Sequence, residues 1–386
     1  MRKSILFLRP DYHCSFVYRD ELRKLGWRAD VFVPDNYPKN LLFSNKDIIR
    51  FPKRMSGLDS SKLFRWLSKK WFFIVLSFWV IRRVFSYQYL FFYGGLGGIP
   101  LLLRNKSPHE PQVSLTLGIA KFLGIKLIQL PSGCLEEETK ENFSKLDGGN
   151  VCGNCGWGPE VCNDEKNVAR FDLVRRYADM VVGTGSHDSS QLKMTHFKYK
   201  SLDLDQWKPG LEIPSKHCLP ETDNLRILHA FSANNRDHGG KNIKGSPFIA
   251  VAIDRLKDEG YPVEYMHLTD VPSREMRYYQ VQADIVVEQL IYGWWGSTGV
   301  ETMAMGKPVV CYMRESWKEL FFKTFPEYTD LPIVEANVQT IYKVLKKLVE
   351  DKDYRERTGR DARLFAEQHF DVKKNAKSLA KLLEQL

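Results

Sequence analysis

The stretch Tyr292–Val310 reads YGWWGSTGVETMAMGKPVV, and the rest of the chain is organised around it. Short apolar runs precede it at Ile285–Val287 and close it at Pro308–Tyr312. Such runs are typical of parallel strands that are buried on both faces. Between them a glycine-rich turn leads into Val300–Met305, whose residues favour a helix. The stretch therefore predicts a strand, a turn, a helix and a second strand of an α/β domain.

The turn has the chemistry of a nucleotide diphosphate site. Glycines flank Ser297 and Thr298, and glycine lets the backbone approach a ligand closely. A helix that begins near Thr298 points unpaired N–H groups and the positive end of its dipole at a phosphate. Glu301, predicted in the first turn of that helix, can accept two hydrogen bonds from a ribose diol. We therefore predict a role for Glu301 in catalysis, and we predict that the donor is bound by Gly296, Ser297, Thr298, Gly299 and Val300.

The stretch resembles the donor-site signature of family 4 glycosyltransferases, which are retaining enzymes of the GT-B fold. That signature has two glutamates separated by seven residues, followed by an Ala-Met-Ala-x-Gly-x-Pro-Val-Val tail. Glu301 matches the second glutamate, and Thr302–Val310 matches the tail. Gly293 stands where the signature has its first glutamate, which faces the donor sugar in the family. Glu288 or Gln289 is expected to take its place. The alternative is a strand–turn–helix unit that binds no ligand.

The resemblance also assigns roles to the polar loop that follows the apolar run Leu225–Phe231. In the family an arginine and the lysine of a Lys-Gly pair in this loop hold the donor's diphosphate. Arg236 matches the arginine, and Lys244 with its following glycine matches the pair, although Lys241 has the usual spacing. We expect Arg236 and Lys244 to be catalytic, and Asn234, Lys241 and Glu288 to help bind the donor. A solvated basic loop is the alternative.

The GT-B fold implied by the resemblance consists of two Rossmann-like domains that face each other across a cleft. We expect an acceptor-side domain at 1–205, a linker at 206–224, a donor domain at 225–370, and a helix at 371–386 that returns to the first domain. In the first half, short apolar runs predict buried strands at Ser4–Leu8, Tyr89–Tyr93, Lys126–Leu130 and Met180–Gly183. The fold class is therefore α/β.

Loops that follow strands of the first half are candidates for the acceptor side, because ligands bind at the carboxyl ends of parallel strands. His13 follows the first strand, although a lone loop histidine is more often incidental. Gly94 and Gly95 begin a flexible loop whose spacing does not fit a dinucleotide fingerprint. Ser132 follows another strand. We predict acceptor-side positions at these four residues.

Four cysteines predict a structural zinc site. Cys152 and Cys155 form a Cys-x-x-Cys hook, which points two thiolates at one ion. Cys134 and Cys162 could complete a tetrahedral set. The glycine-rich loop around the hook has little core of its own and would need such a staple. A set of unrelated thiols is the alternative, because the spacing is irregular; no cofactor is expected in catalysis.

Composition indicates a soluble, two-domain protein. The 386 residues suffice for two cores, and 43% hydrophobic and 27% charged residues are ordinary values. The first apolar run ends at Arg9, which is too short for a signal peptide, and no stretch has the roughly 18 apolar residues of a membrane span. We expect a cytoplasmic location, in which the seven cysteines stay reduced.

The net charge of +10 is concentrated in one segment. Between Asp59 and Glu110 there are eight basic residues and no acidic residue, and the apolar run Trp71–Ile81 lies in the middle. This pattern favours peripheral contact between residues 62–85 and the inner face of a membrane. A helix of the protein core is the alternative. Nucleic acid is not an expected partner, because the charges flank apolar residues rather than forming a wet basic stripe.

These observations predict a glycosyltransferase that moves a sugar from a nucleotide-diphosphate donor to a glycan or lipid-linked acceptor. The resemblance implies retention of configuration and no metal in catalysis. A nucleotide-sugar epimerase of the same fold is the alternative enzyme. A protein that binds nucleotide sugar or a polyanion without turnover is the alternative from another class. Turnover separates the enzymes from the binding protein, and dependence on an acceptor separates transferase from epimerase.

Overall fold

The structure is a computed structural model that describes residues 3–52, 62–99, 110–149, 151–232, 237–238 and 240–386. Its strands are β1 Ser4–Leu8, β2 Arg28–Phe32, β3 Ile48–Ile49, β4 Tyr89–Tyr93, β5 Lys126–Leu130, β6 Met180–Gly183, β7 Thr195–His196, β8 Leu225–Phe231, β9 Asp237–His238, β10 Lys241–Asn242, β11 Val263–Thr269, β12 Ile285–Gln289, β13 Val309–Cys311 and β14 Ile333–Glu335. Its α-helices are α1 Cys14–Lys24, α2 Lys62–Trp79, α3 Leu115–Phe122, α4 Lys140–Ser144, α5 Asp164–Tyr177, α6 Ser246–Asp258, α7 Met276–Gln280, α8 Ser297–Ala304, α9 Glu315–Thr324, α10 Ile341–Glu350, α11 Lys352–His369 and α12 Val372–Leu383.

The first sheet is parallel and has the order β3-β2-β1-β4-β5-β6-β7 within the described residues. Strand β1 lies between β2 and β4, with Ile5 aligned to Ala29 on one side and to Tyr89 on the other. The apolar runs that predicted β1, β4, β5 and β6 have the bounds expected of them. They are buried on both faces because helices cover both sides of the sheet.

The second sheet is also parallel and has the order β11-β8-β12-β13-β14. Strands β8 and β11 pair along their full length, from Leu225 with Val263 to Phe231 with Thr269. Strands β12 and β13 are the two runs that flank the turn Tyr292–Gly299, and they lie side by side. Two parallel sheets with helices between their strands confirm the expected α/β fold class.

Alternate residues of β1 face two separate cores. Ile5 and Phe7 pack on the side covered by α1 and α12, whereas Leu6 and Leu8 pack on the opposite side with residues of α3 and α5. This division follows from the two-residue period of a strand. Helix α12 is the last element of the chain, and its Leu379 belongs to the first of these cores. The end of the chain therefore returns from the second sheet to the first.

Helix α2 leaves a broad apolar face in solvent. Trp71 is 62% exposed and Phe78 is 64% exposed. At the end of the helix Trp79 turns inward and packs on Phe32 and Phe51. The core alternative for this segment therefore holds for Trp79 and fails for Trp71. Among the residues that the structure describes, no helix combines the length and the apolar character that crossing a bilayer requires.

Candidate functional site

A cavity of about 560 Å³ lies between the carboxyl ends of the two sheets. The predicted donor residues that line it are Lys244, Glu288, Gly296, Ser297, Thr298 and Glu301. Ser132 lines it from the first half of the chain. The structure therefore brings together residues that are separated by as many as 169 positions, because both sheets direct the ends of their strands toward one cleft.

Helix α8 begins at Ser297, one residue before the expected start, with Gly296 as its N-cap. Glu301 is consequently the fifth helical residue and lies in the second turn, so its predicted first-turn position is wrong. Gly296 has an extended backbone (φ −104°, ψ −161°), which allows the helix to start directly after it. The N-terminus of the helix still faces the cavity through Ser297 and Thr298.

Glu288 lies beneath the glycine turn and pairs with Lys244. The Lys244 Nζ atom donates to Glu288 Oε1 at 2.7 Å, and both side chains are more than nine-tenths buried. A Cβ at Gly296 would lie 3.0 Å from Glu288 Oε1, so glycine makes room for the carboxylate. An irregularity of β12 between Val287 and Gln289 takes Glu288 out of the regular pairing with β13. Bulges of this kind re-aim a side chain, here into the cavity.

The Glu301 carboxylate has a partner from each half of the chain. Gln280 Nε2 donates to Glu301 Oε2 at 2.9 Å, and His13 Nδ1 lies 3.2 Å from Glu301 Oε1. Burial opposes protonation of His13, but Cys14 and Glu301 outweigh it and raise the pKa of the imidazole to about 10. His13 was predicted on the acceptor side; the structure places it against the donor-side glutamate. A ribose diol would share Glu301 with these two groups.

The other residues predicted on the acceptor side, Ser132, Gly94 and Gly95, surround the carboxylate of Glu136. The sequence analysis did not identify Glu136. The backbone N–H and the hydroxyl of Ser132 donate to Glu136 Oε2 at 2.8 and 3.0 Å. A Cβ at Gly94 would lie 3.2 Å from Glu136 Oε1, and a Cβ at Gly95 would lie 3.8 Å from it. Gly94 also has φ +95°, a conformation that favours glycine. Gly95 lines a smaller adjacent cavity rather than the main one.

A second acid on this wall, Glu137, was also missed. Its Oε2 atom contacts His187 Nε2, and His187 Nδ1 shares a 2.9 Å hydrogen bond with Ser186 Oγ. His187 stacks on Trp317 of the second half at a centroid distance of 4.8 Å. Burial raises the pKa of the Glu137 carboxyl, and the charge of His187 opposes the rise. Fifty positions separate the two residues, so no local pattern in the sequence could have paired them.

The loop between β1 and α1 is strained where it meets the cavity. Arg9 and Tyr12 have positive φ values of 66° and 45°, which are uncommon for residues with a side chain. Asp11 is fully buried, and its Oδ2 atom forms an ion pair with Lys200 Nζ at 2.8 Å. Backbone strain of this kind persists only where the surrounding structure holds it in place, and it is found most often at ligand sites.

Two of the four predicted zinc ligands, Cys134 and Cys155, line the cavity. Burial raises the pKa of Cys134 to about 12, and the neighbouring Cys162, Cys152 and Cys155 add to the rise. Among the described residues, however, no group of three or more His, Cys, Asp or Glu side chains is arranged to hold a metal ion. All four thiols are free of disulfides. The residues are thus neighbours without a formed coordination shell.

Three predicted donor residues that the structure describes, Lys241, Gly299 and Val300, do not line the cavity. Arg236 and Asn234 fall outside the described residues. Lys241 is exposed on β10, whose backbone pairs with β9. Gly299 and Val300 are buried within α8 behind the cavity wall, and a Cβ at Gly299 would lie 2.9 Å from Trp295 Cβ. Gly299 therefore serves close packing of the helix.

No model of a known protein family matches the chain, and no curated protein matches it. Solved structures match it over nearly their whole length. A sucrose-phosphate synthase from Thermosynechococcus elongatus has a TM-score of 0.61 at 15% identity, covering 100% of this chain and 99% of that one. Anabaena HepE, solved in complex with UDP-glucose, has a TM-score of 0.53 at 14% identity, covering 99% and 100%.

WaaG, a glycosyltransferase involved in lipopolysaccharide biosynthesis, has a TM-score of 0.50 at 10% identity, covering 98% of this chain and 99% of that one. At sequence identities this low, the likeness shows a shared fold and no more. This chain has the features of that fold: two parallel sheets that face each other, a cleft between the carboxyl ends of their strands, and a last helix that returns to the first sheet. The chain has the GT-B fold.

Proposed function

We propose that this protein is a glycosyltransferase that moves a sugar from a nucleotide-diphosphate donor to a glycan or lipid-linked acceptor. One observation carries the proposal: Lys244, Glu301 and the N-terminus of α8 line a single cavity between the two sheets. A cation and a helix N-terminus suit a diphosphate, and a carboxylate suits a ribose diol. The solved structure of HepE with UDP-glucose supports testing uridine donors first.

In the proposed reaction the protein offsets the charge that develops on the leaving diphosphate. The N–H groups at the start of α8 and the Lys244 ammonium are fixed donors, and Arg236 is assigned to the same task by its sequence match. Such preorganised donors contribute more in a cleft than in water. To contact the diphosphate, Lys244 must then weaken its ion pair with Glu288. Retention of configuration and catalysis without a metal follow from the family resemblance.

A thermal-shift screen across nucleoside diphosphates and their sugars tests the proposal. A ligand that binds only the folded state at about 100 times its Kd raises the unfolding free energy by about 2.7 kcal/mol. We expect at least one nucleotide to raise Tm clearly, and its sugar to be consumed when acceptors are added. If none of these compounds raises Tm and none is consumed, the proposal is wrong.

We further propose that the protein works at a membrane surface through α2. Trp71, Ile74 and Phe78 are between 58% and 64% exposed. The side chains of Lys70, Arg82 and Arg83 are exposed beside them. Each basic residue near an anionic surface adds about 1 kcal/mol of attraction, and inserted aromatic rings add to it. Such attachment would hold the cleft beside a lipid-linked acceptor.

Sedimentation with lipid vesicles tests this attachment. Binding to phosphatidylserine-containing vesicles should fall with added salt and should be lost on joint substitution of Trp71 and Phe78 by alanine. Phe248→Ala is the matched control, because Phe248 is 46% exposed on α6 of the donor half. Vesicle binding that is absent in the wild type, or that survives loss of both rings, contradicts the assignment to α2.

A further inference from the structure

The acceptor wall of the cavity contains a buried carboxylate that the donor chemistry does not use. Glu137 is only 7% exposed, yet it lines the cavity opposite Lys244 and Glu301. His187 holds its Oε2 atom, while no described residue donates a hydrogen bond to Oε1. Unlike Glu288 Oε2, which is buried without a partner, Glu137 Oε1 remains open to the cavity, where a ligand can donate to it. A ligand hydroxyl group would supply the missing donor.

Two further contacts fix the position of this carboxylate. The Ser189 hydroxyl donates to the backbone carbonyl of Glu137, which holds the main chain in place. Ser186 Oγ shares a 2.9 Å hydrogen bond with His187 Nδ1, so the imidazole can accept there and donate its Nε2–H to the carboxylate. The stacking of His187 on Trp317 connects this arrangement to the donor half. The position of Glu137 is therefore set by both halves of the molecule.

We propose that Glu137 binds and orients the nucleophilic hydroxyl of the acceptor, that His187 is its positioning residue, and that the acceptor group is a neutral sugar. The inference rests on the proposed function, because it names the second substrate of the same cavity. A carboxylate is an acceptor-only group when ionised, so it selects hydroxyl donors. Charge-assisted hydrogen bonds of this kind are about twice as strong as neutral ones.

The surroundings favour a neutral polyol over an anion. Glu136 is a second carboxylate on the same wall, and it would repel a phosphate or carboxylate ligand. Two cations line this wall: Lys200 is engaged by Asp11 at 2.8 Å, and Arg9 lies beside the Glu136 carboxylate at Gly94. Trp157 lines the cavity with 42% of its surface exposed, and an aromatic face suits the C–H face of a pyranose ring.

The test measures binding of methyl and octyl glycosides by ligand-observed NMR, with UDP affinity measured separately by calorimetry. We expect Glu137→Gln to weaken glycoside binding on the order of tenfold while UDP affinity is unchanged. His187→Ala should also weaken glycoside binding, whereas His187→Gln, whose amide can still donate to Glu137, should restore most of it. Glu138→Gln is the matched control, because Glu138 is one residue away and lies outside the cavity lining. If octyl glycosides bind far better than methyl glycosides, the acceptor is a lipid-linked sugar. Equal binding of the two indicates a glycan acceptor.

Two results would overturn the subsite. One is glycoside binding by Glu137→Gln with the affinity of the wild type. The other is a wild type that binds UDP and none of the glycosides. Glycoside binding that depends on Glu137 in a protein that binds no nucleotide would instead retain the subsite and refute the proposed transferase.

Discussion

Gly293 occupies the position at which the family signature has its first glutamate, and its surroundings explain the difference. The backbone there has φ +106°, and a Cβ would lie 2.3 Å from Arg314 Cγ. Arg314 is fully buried and donates to the carbonyl groups of Tyr292 and Gly149 at 2.9 and 3.0 Å. One arginine thus joins the donor turn to the glycine-rich loop of the first half, in the space that a glutamate would need.

Substitution of Gly293 by alanine is therefore expected to destabilise the fold. A non-glycine residue held at positive φ costs about 1–3 kcal/mol, and displacement of Arg314 adds to that. Urea unfolding followed by fluorescence measures the change. Gly97→Ala is the matched control, because a Cβ at Gly97 meets no described atom within 4 Å and no positive φ is required there. Equal unfolding free energies for the two variants would contradict this prediction and show that Arg314 can move aside at little energetic cost.

The cavity-lining residues predicted to bind the donor could be recognised in the sequence because they follow each other closely along the chain. The stretch Gly296–Glu301 carries its own turn, helix start and carboxylate, so a local pattern was sufficient. Glu288 was also within reach, since it lies at the end of the strand before the turn. The pairs His13–Glu301 and His187–Glu137 join residues 288 and 50 positions apart. Only the folded chain brings such partners together.

At the scale of elements, the segment 134–162, which carries the four cysteines, contains the 3₁₀ turns Cys134–Glu136 and Val151–Asn154 and the short helix α4. We propose that a zinc ion draws Cys134, Cys152, Cys155 and Cys162 together, because burial and neighbouring thiols raise the pKa values of Cys134, Cys152 and Cys162, and a bound cation would stabilise the thiolates. Cys134 and Cys155 also line the cavity, so the loop forms part of its wall.

Metal analysis of protein purified without added zinc checks this prediction. About one zinc per chain is expected, and Cys155→Ser should lose the metal and lower Tm. Cys218→Ser is the control, since Cys218 is exposed in the segment between the two sheets. Metal-free protein with an unchanged Tm in the Cys155 variant would mean that the four thiols are unrelated.

Element boundaries show where local signals succeed. Strands β1, β4, β5 and β6 were recognisable as apolar runs between polar residues. Helix α2 was ambiguous, because an apolar helix of its length suits a core as well as a surface. The structure resolves the ambiguity by placing Trp79 against Phe32 and leaving Trp71 outside, and the hydropathy of the segment alone could not separate those two positions.

At the scale of the whole molecule, two buried neutral histidines make the fold sensitive to acid. Burial lowers the pKa of His229 and of His369 from 6.5 to about 3. His369 sits among aromatic rings that include Phe321, Phe325 and Phe365. The unfolded chain takes up these protons below about pH 6.5, whereas the native chain does so only near pH 3. The unfolding free energy should therefore fall as the pH is lowered between these values.

Replacement of His369 by phenylalanine should remove one of the two protons from this linkage. The slope of unfolding free energy against pH should decrease by about 1.4 kcal/mol per pH unit between about pH 6 and pH 4. Urea titrations at a series of pH values measure the slope, and a series at about pH 8, where the histidines are neutral in both states, serves as the reference. Identical slopes for the variant and the wild type would show that His369 is protonated in the native state.

The account as a whole depends on Glu301 binding the donor's ribose between the two halves of the molecule. Calorimetric titration of the wild type and of Glu301→Ala with UDP, or with the nucleotide that the thermal-shift screen selects, tests this most directly. We predict that the variant still folds, with a lower Tm because buried His13 and Gln280 lose their partner, and that it binds the nucleotide on the order of tenfold to a hundredfold more weakly, as expected for a lost hydrogen bond to a charged group. Unchanged affinity in a folded Glu301→Ala protein would contradict the account.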